Sequence, residues 1–192
     1  MELDTIKQFL KSFNLLTDSE IDDFMQLLTY KRLKKTEYFI REGEICKQVA
    51  FVLSGSLRSY YTSDKDEEVT YCITFPHSLM TAYSSFLTAN PTQENIQAIT
   101  DVELLMMQKI DFEQLVKQHF NWTYFLKTIA EQQYIELEKR VFQLQRTDAA
   151  TRYANLLKDQ PAYIQQIPLQ YVASYLGISQ RHLSRIRKEF HF

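Results

Sequence analysis

The sequence is poor in the residues that mark several classes of protein. Among its 192 residues are two cysteines, three glycines, four prolines and one tryptophan. Cys46 and Cys72 form no CxxC pair and are too few to hold an iron–sulfur cluster alone. No apolar run approaches the ~18 residues of a membrane span, and the charged, amphipathic start lacks the apolar stretch of a signal peptide. We therefore expect a reduced, cytoplasmic protein without a membrane segment.

Motifs that carry catalysis are also missing. The sequence contains no glycine-rich phosphate loop, no HExxH and no GxSxG. The acidic run at 64–68 lacks the further ligands of a calcium loop. The histidines, which are His77, His119, His182 and His191, have no spacing that suggests haem or another metal site. We predict no catalytic residues, no metal and no cofactor, and therefore a protein that is not an enzyme.

Positive charge is concentrated at one end of the chain. Residues 1–144 hold 15 basic and 21 acidic side chains, a balance of −6, whereas residues 145–192 hold 7 and 3, a balance of +4. An acidic body with a basic end indicates that only the end meets a polyanion. The alternative is an uneven surface that has no such partner.

The hydrophobic pattern predicts an α+β fold. Residues 1–30 have apolar side chains at helical spacing, and Thr17 to Glu20 offer an N-cap for a second helix. Residues 31–108 are rich in Val, Ile, Tyr, Phe and Thr in short runs, which is typical of a small barrel or jelly roll. Thr100-Asp101 separates two more short strands. Helices are predicted again from residue 109 onward.

A long helix follows this strand-rich zone, since residues 121–146 contain neither glycine nor proline. A near-heptad stripe runs along it and predicts a seam between two identical subunits, because so long a stripe is hard to bury inside one small chain. Its members are Trp122, Phe125, Ile129, Gln133, Leu137, Val141 and Leu144. The alternative is a core helix that lies on the barrel, and both arrangements are compatible on different faces.

The last two predicted helices have the pattern of a helix-turn-helix. Ala173 is the small residue of the first helix, Gly177 is the turn, and Leu183 and Ile186 lock the second helix from behind. Helical spacing then turns Gln180, Arg181, Ser184, Arg185 and Lys188 outward. Arginine matches a guanine edge, glutamine matches adenine, and Ser179 at the helix start suits a phosphate. The alternative is a solvated basic face on a protein-binding helix.

Three segments resemble the Crp/Fnr family of transcription regulators, in the form common among Bacteroidetes. They are AATRYANLLKDQPAYIQQIPLQYVASYLGISQRHLSRIRK at the C-terminal end, and KKTEYFIREGE and FVLSGSLRSYY in the first half. The resemblance implies a cyclic-nucleotide-binding-like jelly roll, a double-stranded β-helix, over residues 1–119, a dimerisation helix over 120–146 and a winged-helix-like DNA-binding domain over 147–192. Many relatives continue into a β-hairpin wing, so the end at Phe192 implies a truncated wing.

The resemblance also implies partners and contacts. The family binds double-stranded DNA as a homodimer at a pseudo-palindromic site, with RNA polymerase as a further partner. Base contacts would come from Gln180, Arg181 and Arg185, and phosphate contacts from Ser179, His182 and Lys188. The expected function is therefore sequence-specific transcription regulation in bacteria. The alternative is a small-molecule sensor that acts through protein contacts of its helical end, and the salt dependence of DNA binding separates the two.

Cyclic AMP is not the expected effector. The family's Gly-Glu pair aligns with His77-Ser78, its phosphate-binding Arg-Ser pair aligns near Thr92-Gln93, and no arginine occurs from residue 59 to 139. A pocket for another, unknown effector remains open, and the alternative is a solvated loop where a site has decayed. Its candidate residues are His77, Ser78, Tyr83, Ser84, Ser85, Thr92, Gln93, Glu94 and Asn95, with Tyr134 closing it.

Overall fold

The computed structural model describes residues 2–159, 161 and 165–189. Its main helices are α1 (Glu2–Lys11), α2 (Asp18–Gln26), α3 (Tyr83–Thr88), α4 (Lys109–Gln118), α5 (Asn121–Arg146), α6 (Ala149–Asp159), α7 (Leu169–Tyr175) and α8 (Gln180–Glu189). Its strands are β1 (Thr29–Leu33), β2 (Tyr38–Ile40), β3 (Gln48–Ser54), β4 (Leu57–Thr62), β5 (Glu68–Thr74), β6 (Leu79–Met80), β7 (Asn95–Ala98) and β8 (Val102–Gln108). The prediction of a truncated wing concerns the segment up to Phe192, which lies outside the described residues.

The strands form two four-stranded sheets. Their orders are β1-β8-β3-β6 and β2-β7-β4-β5, and β8 pairs antiparallel with both β1 and β3. Side chains from both sheets share one apolar core, which includes Leu33, Val52, Leu57, Ile96 and Leu104. The prediction of antiparallel strands followed by C-terminal helices is therefore confirmed.

Strands β3 and β8 are buried on both faces because helices cover the outer face of their sheet. Val52 and Leu104 point into the core between the sheets, whereas their neighbours Phe51 and Leu105 belong to a second core. That second core is built with apolar side chains of α1, α2, α4 and the first half of α5. Two adjacent cores explain the near-continuous apolar sequence of both strands.

The first half of α5 belongs to this second core, which corrects the predicted dimer stripe. Trp122 and Phe125 are 0% and 2% exposed and pack against each other and against the first helices, Trp122 stacking on Phe24. Ile129 packs against the same cluster. Trp122 and Phe125 are therefore covered by their own chain and offer no surface to a second subunit, whereas Ile129 is only partly buried.

The chain divides into two compact units. The first contains Met1–Ser59 and Ile73–Glu131, and the second contains Tyr60–Cys72 and Gln132–Phe192. The boundary runs through β4, β5 and α5, so the hairpin between β4 and β5 belongs to the same unit as the C-terminal helices. The predicted limits of the dimerisation helix, at 119/120 and 146/147, lie instead at the two ends of α5.

Within 2–159, 161 and 165–189, no helix is both long and apolar enough to cross a membrane. Over those same residues, no group of three histidine, cysteine or acidic side chains is arranged to hold a metal ion.

Candidate nucleic-acid interface

Helix α7 ends at Tyr175, and the local sequence specifies the turn at Gly177 that follows it. The N–H of Ile178 donates to the carbonyl of Ala173 (3.0 Å), and the N–H of Gly177 donates to the carbonyl of Ser174 (2.9 Å). This pair of bonds is a Schellman motif, which requires a left-handed residue directly after the helix. Gly177 supplies it with φ +69°. The turn therefore stops α7 and redirects the chain toward α8.

Helix α8 starts at a serine cap and is anchored along one side. The N–H of His182 donates to the hydroxyl of Ser179 (3.2 Å), as expected of an N-cap. Leu183 and Ile186 are 0% and 3% exposed and pack in the interior of the second unit. Because both inward positions are apolar and buried, the orientation of the opposite face of α8 is fixed.

The opposite face of α8 carries the residues predicted to read DNA. Ser179, Gln180, Arg181, Arg185 and Lys188 are exposed, while His182 and Ser184 are partly exposed. The structure therefore brings all the predicted contact residues together on one helix and its cap. Arg187, in contrast, turns toward α6 and α7 and lines a water-sized cavity of about 30 Å³ together with Tyr153, Ile167, Leu169 and Val172.

Two arginines from preceding helices hold the end of α7. Nη2 of Arg140 donates to the carbonyl of Tyr175 (2.7 Å), and its guanidinium lies 3.9 Å from the centre of the Tyr175 ring. Nε of Arg152 donates to the carbonyl of Leu176 (3.0 Å). Burial raises the pKa of the Tyr175 phenol, an effect that the charge of Arg140 partly offsets. These contacts satisfy carbonyls that the end of a helix leaves unpaired.

The β4–β5 hairpin also contacts α7. The hydroxyl of Ser174 accepts from the N–H of Thr70 (2.8 Å) and donates to the carbonyl of Glu68 (3.1 Å). Sequence reasoning missed Ser174, Arg140 and Arg152, since their partners are backbone groups that a side-chain pattern does not reveal. Ser174 and Thr70 are 104 positions apart.

The second half of α5 exposes a row of large apolar side chains. Tyr134 and Leu137 are 67% and 58% exposed, and Val141 and Leu144 are each more than two-fifths exposed. Gln133 of the predicted stripe is exposed as well. Ile135 and Phe142 add apolar surface on a second side of the helix. Large apolar side chains exposed in a row along one helix, rather than scattered singly, are typical of an interaction surface.

The residues predicted to line an effector pocket are split between buried and exposed positions. Ser85, Thr92 and Asn95 are buried, Ser78 and Glu94 are partly exposed, and His77, Tyr83, Ser84, Gln93 and Tyr134 are exposed. The N–H groups of Cys46 and Glu42 donate to Ser85 Oγ (2.9 Å) and Asn95 Oδ1 (3.1 Å). Ser85 and Asn95 therefore tie the chain around residues 42–46 to α3 and to the start of β7.

The positions predicted to match the family's phosphate-binding pair carry no arginine. A buried cyclic phosphate needs a cationic partner. Among residues 30–119, arginines occur only at 32, 41 and 58. Arg58 is 3% exposed, and its Nε and Nη2 both donate to Gln97 Oε1 (3.1 and 2.8 Å). Thr92 and Gln93, the predicted equivalents of the phosphate-binding pair, carry no charge.

Comparisons with known proteins agree with this architecture. Residues 30–119 match the family described as the cyclic nucleotide-binding domain. No curated protein sequence matches the chain. FixK2 from Bradyrhizobium japonicum superposes with a TM-score of 0.76 at 17% identity, covering 85% of this chain and 84% of that one.

Two further solved structures extend over almost the whole chain. A protein from Eubacterium rectale, described as a transcriptional regulator of the Crp/Fnr family, gives a TM-score of 0.74 at 18% identity and covers 95% of this chain and 87% of that one. The c-di-GMP-responsive global regulator CLP from Xanthomonas campestris gives 0.71 at 18%, covering 91% of both chains. The chain therefore shares its fold with regulators of the Crp/Fnr type, and its residues 30–119 match the cyclic nucleotide-binding domain.

Proposed function

We propose that the protein is a transcription regulator that binds DNA sequence-specifically through a helix-turn-helix formed by α7 and α8. The observation that carries this proposal is the two-sided character of α8. Leu183 and Ile186 are buried on one side, whereas Gln180, Arg181 and Arg185 are exposed on the other. A helix with that arrangement fits the major groove of a duplex.

The side chains divide into two roles on a duplex. Arg181 and Arg185 suit the O6 and N7 atoms of guanine, and Gln180 suits adenine. Ser179, His182 and Lys188 suit phosphates, which fix the register of the helix on the duplex. Ser184 is partly exposed on the same helix, and its hydroxyl suits either a base edge or a phosphate. RNA polymerase remains a proposed partner on the strength of the family resemblance.

The apolar surface of α5 supports a homodimer, and a homodimer would bind a pseudo-palindromic site. In the second half of this helix, Tyr134, Leu137, Val141 and Leu144 recur at three- and four-residue steps and are all exposed. Pairing with the same surface of a second copy would cover them. Two recognition helices about 34 Å apart would then enter successive major grooves.

Replacing Arg185 with alanine is expected to weaken binding to the preferred duplex by about 1–3 kcal/mol and to relax base preference at one position. The duplex is obtained by selection from a pool with a randomised core, and affinities are measured by fluorescence anisotropy. Lys188→Ala is the matched control, because loss of a phosphate contact weakens all sequences alike and lowers the salt slope by about 1.

Two outcomes would contradict this assignment. If Arg185→Ala weakened every duplex equally, Arg185 would be a phosphate contact rather than a base reader. A wild-type protein that neutralises phosphates should show a log–log slope of affinity against salt of about −0.9 per phosphate contacted. If its affinity for duplexes hardly changed with salt, the proposal of specific DNA binding would be wrong. The helical end would then be a protein-binding surface, and the chain a sensor that acts through protein contacts.

Cyclic AMP is expected to give no measurable binding heat, which means a dissociation constant weaker than about 1 mM, or −4 kcal/mol. The reason is the missing bidentate arginine: Arg58 is held by Gln97, and residues 59–139 contain no arginine. Titration calorimetry on the full chain tests this directly. A micromolar dissociation constant would show that another arrangement compensates for the missing arginine.

A further inference from the structure

Within the second unit, the start of strand β5 is bonded to helix α7 through the side chain of Ser174. Among the described strands, β5 is the last of its sheet, so no described strand pairs with its outer edge. Within a strand, residues two apart direct their N–H and C=O groups to the same side. Glu68 and Thr70 have this relation, and both use a backbone group to bind Ser174.

A serine hydroxyl is suited to this position because it donates and accepts at the same time. It accepts from the N–H of Thr70 at 2.8 Å and donates to the carbonyl of Glu68 at 3.1 Å. The hydroxyl thereby makes the two hydrogen bonds that the backbone of a neighbouring strand would otherwise make. Unpaired backbone groups at a sheet edge would be open to pairing with another chain. Alanine offers neither bond, whereas threonine offers both.

Tyr175, the residue after Ser174, is bound by a side chain of α5. Arg140 of α5 donates to the carbonyl of Tyr175 (2.7 Å) and stacks on its ring. Leu144 of α5 lies next to the turn, since a Cβ on Gly177 would be 3.4 Å from its Cδ2. The end of α7 is therefore attached both to β5, through Ser174, and to α5, through Arg140.

We propose that Ser174 is a positioning residue that fixes α7, and through it α8 of the same chain, to strand β5. The inference rests on the proposed function, because its consequence is measured on DNA. A displacement of β5 would be transmitted to α7 by the two bonds of Ser174, and from α7 to α8 by the hydrogen-bonded turn at Gly177. Ser174 itself contacts no DNA in this proposal.

The test compares two duplexes and three variants of the full chain. One duplex is the preferred palindrome from selection, and the other carries a single half-site. Positioning matters only when two recognition helices must fit two half-sites together, so Ser174→Ala is expected to weaken palindrome binding about fivefold and leave half-site binding unchanged. Ser174→Thr keeps the hydroxyl and should restore the palindrome affinity.

Thr70→Val is the matched control on the strand. The hydroxyl of Thr70 is buried and has no hydrogen-bond partner among the described residues, so the near-isosteric valine removes nothing that Ser174 uses. The backbone N–H remains in place. Both duplexes should bind this variant as they bind the wild type.

Hydrogen exchange of the Thr70 amide keeps this inference separate from the proposed function. Ser174→Ala should speed that exchange about fivefold in the absence of DNA, because the amide loses its acceptor. Unchanged exchange, or equal weakening of palindrome and half-site binding, would overturn the positioning role. If the wild type bound neither duplex, the proposed function would fail, while the exchange rate would still decide whether Ser174 holds β5.

Discussion

Replacing Gly55 with alanine is expected to destabilise the protein by about 3 kcal/mol, the sum of backbone strain and a steric clash. Gly55 lies in the turn between β3 and β4 with φ +80°. A Cβ at this position would lie 2.1 Å from the carbonyl oxygen of Asp101 and 2.8 Å from Thr100 Oγ1. The neighbouring N–H of Ser56 donates to Thr100 Oγ1 (3.0 Å), so the backbone cannot move away without breaking that bond.

Gly43 provides the matched control for this prediction. It has a similar φ of +86°, but a Cβ there would have no atom within 4 Å. Gly43→Ala should therefore show the strain alone, about 1–2 kcal/mol. Urea unfolding of both variants, followed by circular dichroism, measures the difference. Equal losses of stability would mean that the turn at Gly55 relaxes and that the close approach of Asp101 contributes nothing.

Local features of this fold could be predicted from sequence because their causes lie within a few residues. The N-cap predicted within Thr17 to Glu20 forms at Thr17, and the structure adds a capping box in which Thr17 and Glu20 each bind the other residue's backbone N–H. Residues 121–146, free of glycine and proline, form one helix. Gly177 takes the positive φ that the turn after Ala173 requires.

The orientation of α5 could not be predicted in the same way. A repeat of apolar residues shows which side chains share a helix face, but it does not show what covers that face. Trp122 and Phe125 are covered by α1 and α2 of the same chain, whereas Leu137 and Val141 are exposed. The predicted stripe is therefore an intramolecular surface in its first half and remains a proposed dimer surface only in its second.

Polar residues near α3 were equally ambiguous in the sequence. A hydroxyl or amide side chain suits a ligand and a backbone group equally well, and only the fold decides between them. The structure gives Ser85 and Asn95 backbone partners at Cys46 and Glu42. Helix α3 itself was not predicted, since its six residues are too few to show a helical period.

Replacing Leu137 and Val141 together with glutamate is expected to abolish the proposed dimer and to weaken binding to the palindrome by about 10²–10⁴-fold. Both side chains are exposed in the single chain, so the variant should fold normally. In the dimer, however, the substitution would bury unpaired carboxylates, and like charges would face each other across the seam. Circular dichroism checks folding, sedimentation velocity checks the dimer, and anisotropy checks DNA binding.

The control places the same charges on another side of the same helix. Gln132 and Gln143 are exposed and about three turns apart, so Gln132→Glu with Gln143→Glu adds two carboxylates away from the seam. This variant should remain dimeric and keep most of its DNA affinity. If both double variants stayed dimeric, the second half of α5 would not be the seam. If both became monomeric, net charge rather than the apolar surface would control association, and the palindrome would need another explanation.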